Sequence, residues 1–249
     1  MPEPEVVDSG PRWDDVVDVL CVGPGLGALA YGIGCAAADL DVILAEPPAE
    51  PDAVLVALLE AMTEDLGDPS PDPELAIGTV APEPPPVASG RRATMKSPLD
   101  SPLEPFVGQR LRSWSARCLA SPYGVMFTEV PDLLVPMRSA TGASITAAIL
   151  GNCRESVGAW LTSQADGYGL IAAGRMGELI AVDGRIAGAA LHTASGPWLV
   201  RATAGIAISV GPTPPESPEP AAAHLEAGLE VAVVGRRFGR FARVELVRR

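Results

Sequence analysis

Apolar and polar positions alternate along this chain with the periods of strands and helices, and the opening third shows this most clearly. Val17-Asp18-Val19-Leu20-Cys21-Val22 is an apolar run of strand length. Gly23-Pro24-Gly25-Leu26-Gly27-Ala28 follows at once, and Leu26 to Ala38 then reads as a helix of small residues. Ala28, Leu29, Gly32, Ala36 and Ala37 suit close packing on a sheet. Asp41-Val42-Ile43-Leu44-Ala45-Glu46 reads as a second strand with a carboxylate at its tip. Val54, Leu55, Leu58, Leu59 and Met62 recur at helical spacing after Pro51-Asp52, predicting a helix from Ala53 to Leu66. Val107 to Leu119 predicts another, with Arg110, Arg112 and Arg117 on its polar side. Ser121 to Gly124 is a turn, Val125 to Val130 a strand, and Ser156 to Gln164 helical; Ala143 to Leu150 fits a strand or a short helix. Leu229 to Gly235 and Phe238 to Val247 read as two strands around an Arg-Gly turn. No internal repeat is present.

The first of these segments carries candidate chemistry. Strand, glycine-rich turn, helix and acid-tipped strand form the βαβ pattern that cradles a dinucleotide: glycines let the backbone approach a pyrophosphate, the helix N-terminus supplies N–H groups, and the acid accepts ribose hydroxyls. Gly23 and Gly25 take the first two glycine positions and Ala28 the third. Glu46 lies 21 residues after Gly25, close to the spacing of about 20 expected for the ribose acid.

This stretch resembles the FAD-binding start of flavoproteins of the two-dinucleotide-binding-domain type. Glu178 to Gly188, with Asp183-Gly184-Arg185 at its centre, is similar to a strand–turn–strand hairpin of the fumarate reductase and ketosteroid dehydrogenase group. Val200 to Gly211 is similar to that group's returning strand. The resemblance covers residues 15–47 and 165–212. It implies an α/β fold, a Rossmann-like FAD-binding domain with a β-hairpin insertion and a small cap lobe. It also implies FAD as cofactor, held by Gly23, Pro24, Gly25, Leu26, Gly27, Ala28, Glu46, Ser209 and Gly211, and oxidoreductase chemistry on an unassigned substrate. The chain departs from the group after Glu46, where Pro47-Pro48 replaces a basic residue and a Gly-Gly loop, and at Ser209-Val210-Gly211-Pro212. The Gly- and Asn-rich motif that closes over the flavin is absent. Those departures imply an alternative, a non-catalytic relative that has lost the cofactor and acts as a binding or assembly subunit. NAD(H) at the same turn is a third reading.

The expected organisation is a flexible lead over residues 1–12, a dinucleotide-binding domain from 13–66 and 166–249, a Pro-rich linker over 67–105, and a small inserted cap lobe over 106–165. Runs such as Pro82-Glu83-Pro84-Pro85-Pro86 lack donors for regular structure, so the linker reads as a spacer, a surface strap or a polyproline ligand.

Composition narrows the partners. The formal net charge of −13 disfavours binding to phosphate backbones, so no nucleic acid is expected. Six arginines and one glutamate fall in the last 14 residues, from Arg236, which suggests a basic tail for a protein partner, a lipid headgroup or the chain's own acidic half. The N-terminus lacks the features of a signal peptide, no apolar stretch approaches transmembrane length, and Cys21, Cys35, Cys118 and Cys153 show no CxxC spacing. A cytoplasmic protein without a metal centre is expected. His192 and His224 have no ligand-spaced partner. Tyr123 and Tyr168 are the best phenolic acids available, and Arg138 and Arg154 in the expected cap are candidate clamps for a carboxylate substrate. No residue is assigned a catalytic role.

Overall fold

The computed structural model describes residues 11–23, 25–49, 53, 56–57, 87–92, 109–121, 123–128, 133–139, 144–209, 229–236 and 239–248. The strands are β1 (Asp15–Val22), β2 (Val42–Glu46), β3 (Val87–Arg92), β4 (Gly124–Phe127), β5 (Val135–Ser139), β6 (Ser144–Asn152), β7 (Ala172–Val182), β8 (Arg185–Thr193), β9 (Gly196–Ser209), β10 (Glu230–Gly235) and β11 (Phe241–Arg248). The helices are α1 (Leu26–Ala36), α2 (Gln109–Ala120) and α3 (Val157–Gly167). Ala53, Val56 and Ala57 are helical; the rest of the helix expected over 53–66 lies outside the described residues.

All eleven strands join one mixed sheet. β1 lies between β2 and β9 and runs parallel to both, with Leu20 opposite Ile43 and Ile206. β2 pairs in parallel with β7, and β7, β8 and β9 form an antiparallel meander. These pairings close a circuit β1–β2–β7–β8–β9. A second circuit runs β3–β11–β10–β6–β5 and back to β3, and β4 joins the two by pairing with β9 and β11. Long β9 makes this possible, because one of its edges carries β8 over its first half and β4 at its end.

The apolar runs follow from burial on both faces. Along β1, Leu20 and Val22 face one cluster with Met126, Met176, Leu191, Ile206 and Phe241, while Val19 and Cys21 face another with Tyr31, Ile33, Phe127 and Leu161. The pairing of β1 with β9 slips between Val17 and Val19, and Val17 joins the cluster of Leu20 across that irregularity. The same alternation runs through β10, where Val231 and Val233 oppose Ala232 and Val234. α1 and α3 cover the second cluster, and α2 brings Trp114 and Cys118 to the first. Tyr31 of α1 stacks on Phe127 with ring centroids 5.3 Å apart.

Asp183-Gly184 makes the tight turn between β7 and β8, both residues having positive φ (52° and 74°), the geometry that an Asp-Gly pair favours. Ser156 caps α3 by accepting the Ala159 N–H at 3.2 Å.

Several segments sit differently from their sequence-based reading. The stretch read as a cap lobe, 106–165, supplies β4, β5 and β6 to the common sheet. Within the expected linker, Val87–Arg92 forms β3 against β11 and β5; this run has no proline and retains its ladder donors. The arginine-rich end is not a free tail, because Phe241–Arg248 is β11, hydrogen-bonded to β10, β4 and β3. Two of its arginines turn inward onto Trp114, the guanidinium carbons of Arg236 and Arg243 lying 4.6 and 4.9 Å from the ring centroid. Arg243 also pairs with buried Glu245 at 2.7 Å. No helix among the described residues is long and apolar enough to cross a membrane.

Candidate functional site

The carboxyl ends of β1 and β2 meet the N-terminus of α1. Gly23 ends β1 and donates its N–H to the Ala45 carbonyl at 3.0 Å. Its φ of +132° is one that side chains rarely adopt, and a Cβ there would lie 2.6 Å from Cβ of Ser209. Glycine is therefore required by conformation and by the approach of β9. Gly25 is the N-cap of α1, in extended conformation and without a side-chain capping bond, and no acidic residue stands in the first turn. Among the described residues, no side chain caps the first N–H groups of α1.

Gly27 meets a different constraint. A Cβ on it would lie 2.5 Å from the Gly124 carbonyl oxygen and 2.8 Å from that of Tyr123. The helix start is therefore wedged against the start of β4. Ala28 is buried beside it. Ser209 Oγ donates to the Gly124 carbonyl at 3.4 Å, so the ends of β1 and β9 and the starts of α1 and β4 converge. Gly124 and its contact with the helix were not singled out by the glycine pattern, since it contributes through its backbone.

A cavity of about 580 Å³ opens at this junction. It is lined by Gly23, Gly25 and Leu26, by apolar Leu29 and Leu44, by Pro47 to Ala49, and at its exposed rim by Glu46 and Arg175. Arg175 of β7 is the cross-strand partner of Glu46. Its Nε and Nη2 donate to the same carboxylate oxygen, Oε2, at 3.3 and 3.1 Å. Both side chains are about half exposed. Sequence reasoning missed Arg175 because 129 positions separate it from Glu46; the only available signal was its place ahead of the Asp-Gly turn.

Gly23, Gly25, Leu26 and Glu46 thus come together on the cavity, with Gly27, Ala28 and Ser209 packed behind or beside them. Pro24 and Gly211 lie outside the described residues, as does His224. His192 is exposed and is the cross-strand partner of Arg175 on β8, extending the row Glu46–Arg175–His192. Tyr123 precedes β4 in a half-buried turn, and Tyr168 is an exposed C-cap of α3. Arg154 is exposed ahead of α3, and Arg138 belongs to β5. Tyr123, Tyr168 and Arg154 are not among the residues lining the cavity. No group of His, Cys, Asp or Glu among the described residues is placed to hold a metal.

Behind the site, Tyr31 and Cys35 on the buried face of α1 share a cluster with Cys21 of β1. Burial pushes the Cys35 thiol up to about 12. Burial, then the neighbouring Cys35, raises the Cys21 thiol and the Tyr31 phenol well above their ordinary values. These groups are held neutral and serve packing.

Comparison of the chain with protein-family models, with curated proteins and with solved structures found no match in any of the three.

Proposed function

We propose that this chain has the Rossmann-like FAD-type fold and binds FAD by its ADP half at the carboxyl ends of β1 and β2. One observation carries the reading: an uncapped helix N-terminus, a glycine turn and an acid-tipped strand converge on one cavity of about 580 Å³. That volume is within the range of about 300–1,000 Å³ found for small-molecule sites. The donor set suits the group. Gly25 and Leu26 present N–H groups and the helix dipole to a diphosphate, Leu29 and Leu44 offer apolar contact, and Glu46 accepts ribose hydroxyls. A bound flavin supplies hydride or electron transfer, and an oxidoreductase activity of this chain rests on it.

A second reading keeps the fold as a non-catalytic scaffold. It is favoured by Pro47-Pro48-Ala49, which lines the cavity where a phosphate-wrapping loop would be needed.

The visible spectrum of the purified protein and an FAD titration separate the two. The proposal expects a flavin band near ~450 nm or saturable FAD binding. It also expects binding at least about tenfold weaker in Gly25→Val, whose side chain would crowd the helix N-terminus and cavity. A colourless protein that ignores FAD at high micromolar concentration refutes the proposal and leaves the scaffold.

A further inference from the structure

The Glu46–Arg175 pair joins the neighbouring strands β2 and β7 beside the cavity. Both side chains are about half exposed, and exposed ion pairs contribute little to stability. The pair nevertheless has a specific form. Both donors of Arg175 fall on Oε2, so Oε1 of Glu46 has no partner among the described residues. Both residues stand on the rim of the cavity.

We infer that Arg175 is a positioning residue that fixes Glu46 as a reader of ribose hydroxyls, making the cavity selective for nucleotides with an intact ribose diol. This rests on the nucleotide-binding reading of the same cavity. The physical argument starts from rotamer freedom. A half-exposed glutamate at a strand tip samples many conformers, and a ligand that uses it must first freeze them. Arg175 is anchored in β7 opposite Glu46 in the ladder, and its planar guanidinium reaches the carboxylate with two N–H groups. The carboxylate is thereby held before any ligand arrives, which removes part of the ordering cost from binding. The Nε and Nη2 donors of Arg175 are both spent on the acid, so the effect assigned to it passes through Glu46.

The plain alternative is a clasp between β2 and β7, whose pairing is irregular between Leu44 and Glu46. The two roles differ in what they move. A clasp affects folding and binds all nucleotides alike, whereas a positioning residue affects the discrimination between nucleotides with and without the diol.

The experiment is calorimetric titration of the full chain with ADP and with 2′,3′-dideoxy-ADP, using wild type, Arg175→Gln, Arg175→Lys and Glu46→Gln. Wild type should prefer ADP by about tenfold or more, the worth of one hydrogen bond to a charged acceptor. Arg175→Gln and Glu46→Gln should both reduce the preference below about threefold, with Arg175→Lys between, while the unfolding midpoint of Arg175→Gln stays within about 2 °C of wild type. A wild-type preference retained in Arg175→Gln overturns the positioning role and leaves the clasp. ADP binding without preference over the dideoxy form overturns this inference alone. Wild type that binds neither ADP nor FAD overturns the nucleotide reading and this inference with it.

Discussion

Two glycines of α1 should respond to the same substitution with opposite sign. Gly→Ala within a helix ordinarily stabilises by about 0.5–1 kcal/mol, because alanine loses less backbone entropy on folding. Gly34→Ala should follow that rule to near neutrality or better. Its added methyl would meet only the tips of Leu133 and Leu150, each at 3.3 Å, and such tips give way by small rotamer shifts. Gly27→Ala should break the rule. Its methyl would lie 2.5 Å from the Gly124 oxygen, 2.8 Å from the Gly124 carbonyl carbon and 2.8 Å from the Tyr123 oxygen. All three are backbone atoms at the start of β4, so relief requires the helix start to move away from the sheet. Overpacking of that kind costs about 1–3 kcal/mol, which outweighs the propensity gain. The difference between the variants should be about 1.5–3 kcal/mol, or roughly 3–12 °C in thermal midpoint for a chain of this size. Differential scanning calorimetry or urea unfolding of the two variants reads it directly. Equal stability of Gly27→Ala and Gly34→Ala would refute the close approach of α1 to β4, and with it the geometry of the site.

Other consequences follow from the core. Glu245→Gln leaves the largely buried Arg243 guanidinium without its ion partner; with the Trp114 stack retained, the loss should be about 2–4 kcal/mol by urea unfolding at pH 7, and a loss below about 0.5 kcal/mol would contradict the burial. Burial raises the Cys35 thiol to about 12, and Cys21, Cys118 and Tyr31 shift upward for the same first reason. Such groups keep their protons in the folded state after the unfolded chain has lost them, so stability is full below about pH 9 and falls as pH rises toward 12, by about 1.4 kcal/mol per pH unit for one thiol. Urea unfolding at pH 8 and pH 10 should show the drop; a flat profile would refute the burial of these groups. Ending the chain at residue 240 removes β11 from between its partners; no cooperative unfolding transition should remain, and a native-like melt would show that this strand is dispensable.

How much was legible in the sequence depended on how local the signal was. β1, α1 and β2 lie within a few residues of their expected bounds because period, glycine turn and acid are all contained in about thirty positions. The β7–β8 hairpin was expected from the resemblance of Glu178 to Gly188 to a family hairpin, and Asp183-Gly184 makes its turn. The helix expected over Ser156 to Gln164 is α3, and Ser156 turns out to be its N-cap. Ala143 to Leu150 stayed ambiguous because a short apolar run fits a buried strand or helix alike, and only its pairing with β10 and β5 makes it β6. Long-range partners were invisible. The arginines after Arg236 looked like a solvated basic tail, yet Trp114, more than a hundred positions earlier, draws Arg236 and Arg243 inward. In the site itself, the glycines and Glu46 were legible, but not the cation opposite. Arg175 reaches Glu46 only because β7 pairs with β2, a register no local pattern encodes.

The most direct test of the account is competition between FAD and ADP on the full-length protein, read by flavin fluorescence. If the cavity at the carboxyl ends of β1 and β2 holds the ADP half, FAD should bind saturably and ADP alone should displace it completely. Absence of FAD binding, or FAD binding that ADP leaves untouched, would contradict the assignment of that cavity to a nucleotide.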